Sequence, residues 1–230
     1  MTLKLIAALL ASCIVTVTHA AGDVTTNPVR IAPAAGIPPP SMMPVKPRIK
    51  PLPPEQWTEE QKKVCEPIAT ATGAYNILGI FVQHWEAFKA RREWSAHLLG
   101  PGSTIPPRFR ELLILRTAFV TPAEYEWAQH KPMARKAGLS DDEIERIKSG
   151  GSAPGWTATE SALLDMTDDL IRQHTVSDSV WKRLTENLST QQVFDAISTV
   201  GQYLSIALLA NSVGVEIDHG LSGFDPAKVH

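Results

Sequence analysis

The chain has 230 residues, 43% of them hydrophobic and 20% charged, with a formal net charge of −2, which suits one ordinary globular domain with additions at its ends. No basic excess, arginine-rich face or lysine run interleaved with aromatics argues for nucleic acid. Two cysteines, Cys13 and Cys65, give no basis for a disulfide framework or a cysteine-based metal site.

Residues 1–20 read Met-Thr-Leu-Lys, then an apolar run from Leu5 to about Val17, then Thr18-His19-Ala20-Ala21. A short basic start, an apolar stretch too short to span a bilayer and small residues at its end predict a secretory signal peptide cut after Ala20, and hence a periplasmic or secreted protein. Leu10-Ala11-Ser12-Cys13 also resembles a bacterial lipoprotein box, which would leave Cys13 as a lipid anchor. Residues 21–56 form a linker or arm. From Asn27 to Pro54 it carries ten prolines and no hydrophobic periodicity.

Residues 57–220 predict an all-α domain, with 221–230 as a tail. Thr58-x-x-Gln61 starts a helix that runs to about Thr70 and holds Cys65, which reads as a core residue. Ile77 to Leu99 predicts one long helix. Pro106-Pro107 opens the next, in which Ile114, Leu115, Ala118 and Phe119 share an arc and Arg110 and Thr117 lie opposite. Thr121-Pro122-Ala123-Glu124 reads as an N-cap, a first-turn proline and a capping box, and Pro132 should kink or end that helix. Ser140-x-x-Glu143, Thr157-x-x-Glu160 and Ser189-x-x-Gln192 cap further helices, with one more over Ser177–Leu188. The last helix, through Tyr203 to about Leu209, is apolar almost all round and belongs in the domain centre or a subunit interface. Its Asp195, Gln202 and hydroxyls make it a poor membrane span.

Two carboxylates and an imidazole stand out. Glu111 falls inside an apolar arc, where a carboxylate must find a partner or stay protonated; Arg116 and Arg135 are candidate partners for a purely structural pair. Glu126 lies four residues before His130, which places both on one helical face. Tyr125 and Trp127 flank Glu126. Tyr203 and His84 are further side chains able to reach a pocket, against the plainer alternatives of a buried tyrosine on a carbonyl and a partly exposed helical histidine. No metal site or cofactor motif accompanies them.

Glu111, then fifteen residues later Tyr125-Glu126-Trp127-x-x-His130, with Ala134 and Gly138-Leu139-Ser140, resembles the carboxymuconolactone decarboxylase family, a branch of the alkylhydroperoxidase D-like fold. The peroxidase branch has a Cys-x-x-Cys pair before the histidine; here Ala123 and Glu126 occupy those places. The resemblance implies catalytic roles for Glu111, Glu126 and His130, a small lactone or cyclic carboxylic acid as substrate, no cofactor, and self-association into a trimer or hexamer.

By environment, the helix dipole should favour ionised Glu126, and aliphatic neighbours should favour neutral Glu111. A carboxylate of each kind beside an imidazole suits proton transfer more than redox or phosphoryl chemistry, and the family resemblance implies a decarboxylation. The set leaves two alternatives: a metal-dependent enzyme using Glu111, Glu126 and His130, and a non-catalytic exported binding or assembly module.

Overall fold

The computed structural model describes residues 46–223, and the expected signal peptide, the possible lipid anchor at Cys13 and most of the arm lie outside them. Among the described residues the fold is all-α, with no strand. The helices are α1 (Glu59–Thr72), α2 (Tyr75–Phe81), α3 (Trp85–Leu99), α4 (Pro107–Val120), α5 (Glu124–Lys136), α6 (Asp141–Ile147), α7 (Ala158–Gln173), α8 (Asp178–Thr185) and α9 (Thr190–Val213).

Local signals decide most of the boundaries. Thr58, Ser140, Thr157 and Ser189 each close a full capping box with the Gln or Glu three residues on, so two otherwise orphaned donors are satisfied at each start. The long helix expected from Ile77 to Leu99 is instead two. A 3-10 turn over Val82–His84 separates them, and His84, at φ −128 and ψ 74, turns its imidazole back to accept from Ala87 N and cap α3. Thr121 is likewise not an N-cap. Its hydroxyl donates to Thr117 O at 2.6 Å and so finishes α4; α5 starts only at Glu124, behind an Ala123 that makes no side-chain cap. Pro132 does not end α5, which continues to Lys136.

The centre of the domain is α4, buried continuously from Glu111 to Ala118. One side meets α5, α6, α7 and α9 through Leu112, Leu115, Trp127, Ile144 and Leu164; another meets α7, α8 and α9 through Leu113, Leu163, Met166 and Leu184. The expected polar side of α4 is therefore buried too, and its polar groups are satisfied there. Thr117 donates to Leu113 O at 2.8 Å, while Arg116 binds Asp168 through Nε and Nη2 and reaches the carbonyls of Ile147 and Lys148. This arginine serves Asp168, and Arg135 serves Asp141, so neither is the partner of Glu111.

α9 packs on α3, α4, α7 and α8, although by length and mean hydropathy of 1.4 it is a helix able to cross a membrane. It is only partly central: Phe194 and Leu208 are 64% and 61% exposed. After Gly214 the chain returns to α2 and α5, where Asp218 accepts from Asn76 N, Tyr125 OH and Gln129 Nε2 at 2.9, 2.7 and 2.7 Å.

The end of the proline-rich arm is fastened to the domain. Arg48 N donates to Val213 O, Leu52 N to Gly79 O and Trp57 Nε1 to Leu52 O, at 2.7, 2.9 and 2.7 Å. Gly79 is required for that approach, since a Cβ there would stand 2.6 Å from Leu52 O and 2.8 Å from Pro51 Cβ. Gly79→Ala gains about 1 kcal/mol of helix propensity, but displacing the strap should cost about 1–3 kcal/mol. A thermal melt should therefore fall, and a higher melting temperature would show that the strap contributes nothing to stability.

Candidate functional site: an unpartnered buried acid beside a glutamate–histidine pair

α4 and α5 pack side by side and bring Glu111 against His130, with His130 Nδ1 and Glu111 Oε2 2.9 Å apart. Arg110 Nε donates to the other carboxylate oxygen, Oε1, at 3.3 Å. Burial alone would push the Glu111 carboxyl up, but the imidazole and guanidinium outweigh it and hold the group below its ordinary value. Glu111 is therefore an acceptor, and the His130 nitrogen that faces it is the donor.

Glu126 is in the opposite state. It is 2% exposed, and neither carboxylate oxygen finds a hydrogen-bond partner among the described residues. Burial raises it well above the ordinary carboxylate range, tempered only by the charge of Arg91. It is held neutral. The assignment expected from helix position is thus reversed: a first-turn dipole contributes about 0.3–1 kcal/mol, whereas stripping water from an unpaired carboxylate costs several.

Tyr203 of α9 closes the group, its ring meeting His130 edge-on at 4.8 Å. Burial pushes its phenol well up, and the nearby charges of Glu111 and Glu126 push the same way, so it stays neutral. α4, α5 and α9 therefore bring together Glu111, Glu126, His130 and Tyr203.

The other candidates lie elsewhere. Tyr125 turns its hydroxyl to Asp218, Gln129 and Ile77 N, which makes it part of the latch that holds the C-terminal segment. Trp127 is fully buried in the core, its ring 6.2 Å from Phe119 and 5.3 Å from Lys148 Nζ. His84 is exposed at the start of α3, where it lines a cleft of about 320 Å³ with Arg91. Arg91 and Arg110 escaped the sequence reading. Arg110 adjoins Glu111 in sequence, whereas no spacing in the sequence marks Arg91. Among the described residues no three His, Cys, Asp or Glu side chains converge as metal ligands would.

This arrangement sits on a fold shared with peroxidase-related proteins. An uncharacterized peroxidase-related protein from Silicibacter sp. TM1040 superposes with a TM-score of 0.67 at 16% identity, over 77% of this chain and 96% of that one. An alkylhydroperoxidase AhpD core protein from Ralstonia eutropha JMP134, also uncharacterized and peroxidase-related, gives 0.66 at 14% identity, over 75% and 93%. The debrominase Bmp8, solved with 2,3,4-tribromopyrrole, gives 0.63 at 10% identity, over 77% and 95%. No curated protein matches the sequence. The fold is the AhpD-like helical fold. Residues 86–169, which hold Glu111, Glu126 and His130, match the carboxymuconolactone decarboxylase family.

Proposed function

We propose that the protein is a cofactor-independent decarboxylase or proton-transfer lyase acting on a small lactone or cyclic carboxylic acid. The observation that carries this is the contrast between Glu126, buried and unpartnered, and Glu111, ionised against His130. One site then holds a neutral carboxyl and an ionised carboxylate bonded to an imidazole at the same pH.

In the proposed reaction the bond from a ring carbon to the leaving carboxylate breaks, its electron pair moves into the conjugated carbonyl, and carbon dioxide departs. The neutral Glu126 carboxyl donates a hydrogen bond to the developing enolate oxygen, which needs that donor most as the charge forms. Protonated His130 gives its Nε2 proton to the carbon, Glu111 stabilises the imidazolium, and solvent restores the proton. Tyr203 packs the ring edge-on and fixes its plane.

Thiol peroxide chemistry finds less support. Ala123 is core, Glu126 is a carboxyl, and Cys65 is buried in α1 with its thiol pushed up to about 11, where it is a poor nucleophile. A metal-dependent reading lacks a converging ligand set among the described residues. A non-catalytic module leaves the stability cost of Glu126 without a return.

The reaction is tested with purified protein and a panel of small carboxylated lactones and cyclic acids in deuterated water. The expected result is release of carbon dioxide with one solvent deuteron in the product. Peroxide turnover that depends on Cys65, with no acid consumed, would contradict it.

Export and self-association remain part of the proposal. Export rests on the pattern of residues 1–20, with the lipid anchor at Cys13 as its alternative. A trimer or hexamer is supported by the exposed apolar side chains of α9, Phe194 and Leu208.

A further inference from the structure

Arg91 projects from α3 into the cleft of about 320 Å³ whose walls are mostly apolar, including Ile80, Phe81, Phe88 and Leu209. Two other polar side chains of the cleft each have a backbone partner. Gln83 Nε2 donates to Lys50 O and to Gly79 O, both at 2.9 Å, and His84 Nδ1 caps Ala87 N. Arg91 is held in place, with Nη2 donating to Ser205 Oγ at 2.8 Å and its guanidinium carbon 5.8 Å from the centre of the Phe81 ring. No carboxylate among the described residues comes within ion-pair distance of it. The acid that its charge does reach is Glu126, whose carboxyl oxygens are themselves without a hydrogen-bond partner among the described residues.

We propose that this cleft binds the substrate as a small, mainly apolar ring bearing a carboxylate, with Arg91 as the anchor of that carboxylate. The substrate class rests on the function proposed above; the anchor is an inference from the cleft itself. A volume near the lower end of the roughly 300–1,000 Å³ of ligand pockets suits a single ring and is too small for a nucleotide. A guanidinium with most of its five donors unspent matches a carboxylate in a fork geometry. The walls select the rest. A single positive charge among apolar side chains balances one negative charge, whereas inorganic phosphate would bring surplus charge and no apolar body for the walls to cover. Arg91 thereby acts as a binding and positioning residue, distinct from the proton-transfer group.

Calorimetric titration of the full chain with benzoate, benzamide and inorganic phosphate tests this. Benzoate should bind, and benzamide and phosphate should bind at least tenfold more weakly. Arg91→Met should weaken benzoate at least tenfold without lowering the thermal melt, and Arg91→Lys should recover part of the loss. The anchor is overturned if benzoate does not bind, if benzamide or phosphate binds as well as benzoate, or if Arg91→Met leaves benzoate affinity unchanged. Those outcomes are separable from failure of the proposed reaction, which appears as turnover surviving in His130→Asn while benzoate binding behaves as expected.

Discussion

Glu126→Leu should melt higher than the wild-type protein and be inactive. The wild-type carboxyl is 2% exposed with both oxygens unpartnered among the described residues, and an unsatisfied buried polar group of this kind costs about 1–3 kcal/mol. Leucine fills similar space and removes the cost, which for a domain of this size raises the melting temperature by about 2–4 °C per kcal/mol. The pH dependence has a definite sign. The folded protein keeps the Glu126 proton to a higher pH than the unfolded chain, whose ordinary value is 4.5. From there upward to the raised folded value, the unfolded state gains by releasing its proton, so wild-type stability falls as pH rises. The leucine variant lacks that slope, and its advantage should widen across the same window. Glu111→Leu should do the opposite. It strips His130 and Arg110 of their shared buried partner, and breaking a buried charged pair costs about 3–5 kcal/mol. Equal destabilisation by both variants would mean that Glu126 has a structural partner.

His130→Asn should lower turnover by about 10²–10⁴-fold, the usual loss on removing a general acid–base group, while leaving the melt close to wild type. The asparagine amide can donate to Glu111 Oε2 in place of Nδ1, now 2.9 Å away, but has no titrating nitrogen to deliver a proton. His130→Ala should lose activity equally and also stability, because Glu111 then keeps only the longer 3.3 Å contact with Arg110. That difference separates chemistry from support. A His130→Asn protein with wild-type turnover would remove the imidazole from the reaction.

What the sequence made legible was mostly short-range. The four capping boxes form as written because donor, acceptor and helix start lie within three residues. The pairing of an α4 carboxylate with the α5 histidine was legible only as a shared chemistry, since it depends on how two helices pack. The break at His84 and the short α5 start depend on side chains bonding backbone in ways that several residue types would allow. Protonation was the least legible part. Whether a glutamate is charged turns on its burial and on groups distant in sequence, such as Arg91, whose charge reaches Glu126. Tyr125 flanks Glu126 in the sequence, yet its hydroxyl is taken by Asp218, 93 residues away.

The central claim is that Glu126 is neutral and Glu111 ionised in the same folded protein at neutral pH. Carbon-13 spectra of side-chain-labelled glutamate, assigned by the resonance lost in Glu126→Gln and in Glu111→Gln, read both states without any substrate. The expected result is a Glu126 carboxyl still protonated at neutral pH and a Glu111 carboxylate still ionised below the ordinary glutamate range. A Glu126 resonance that titrates with the exposed glutamates, or a Glu111 protonated at neutral pH, would contradict it.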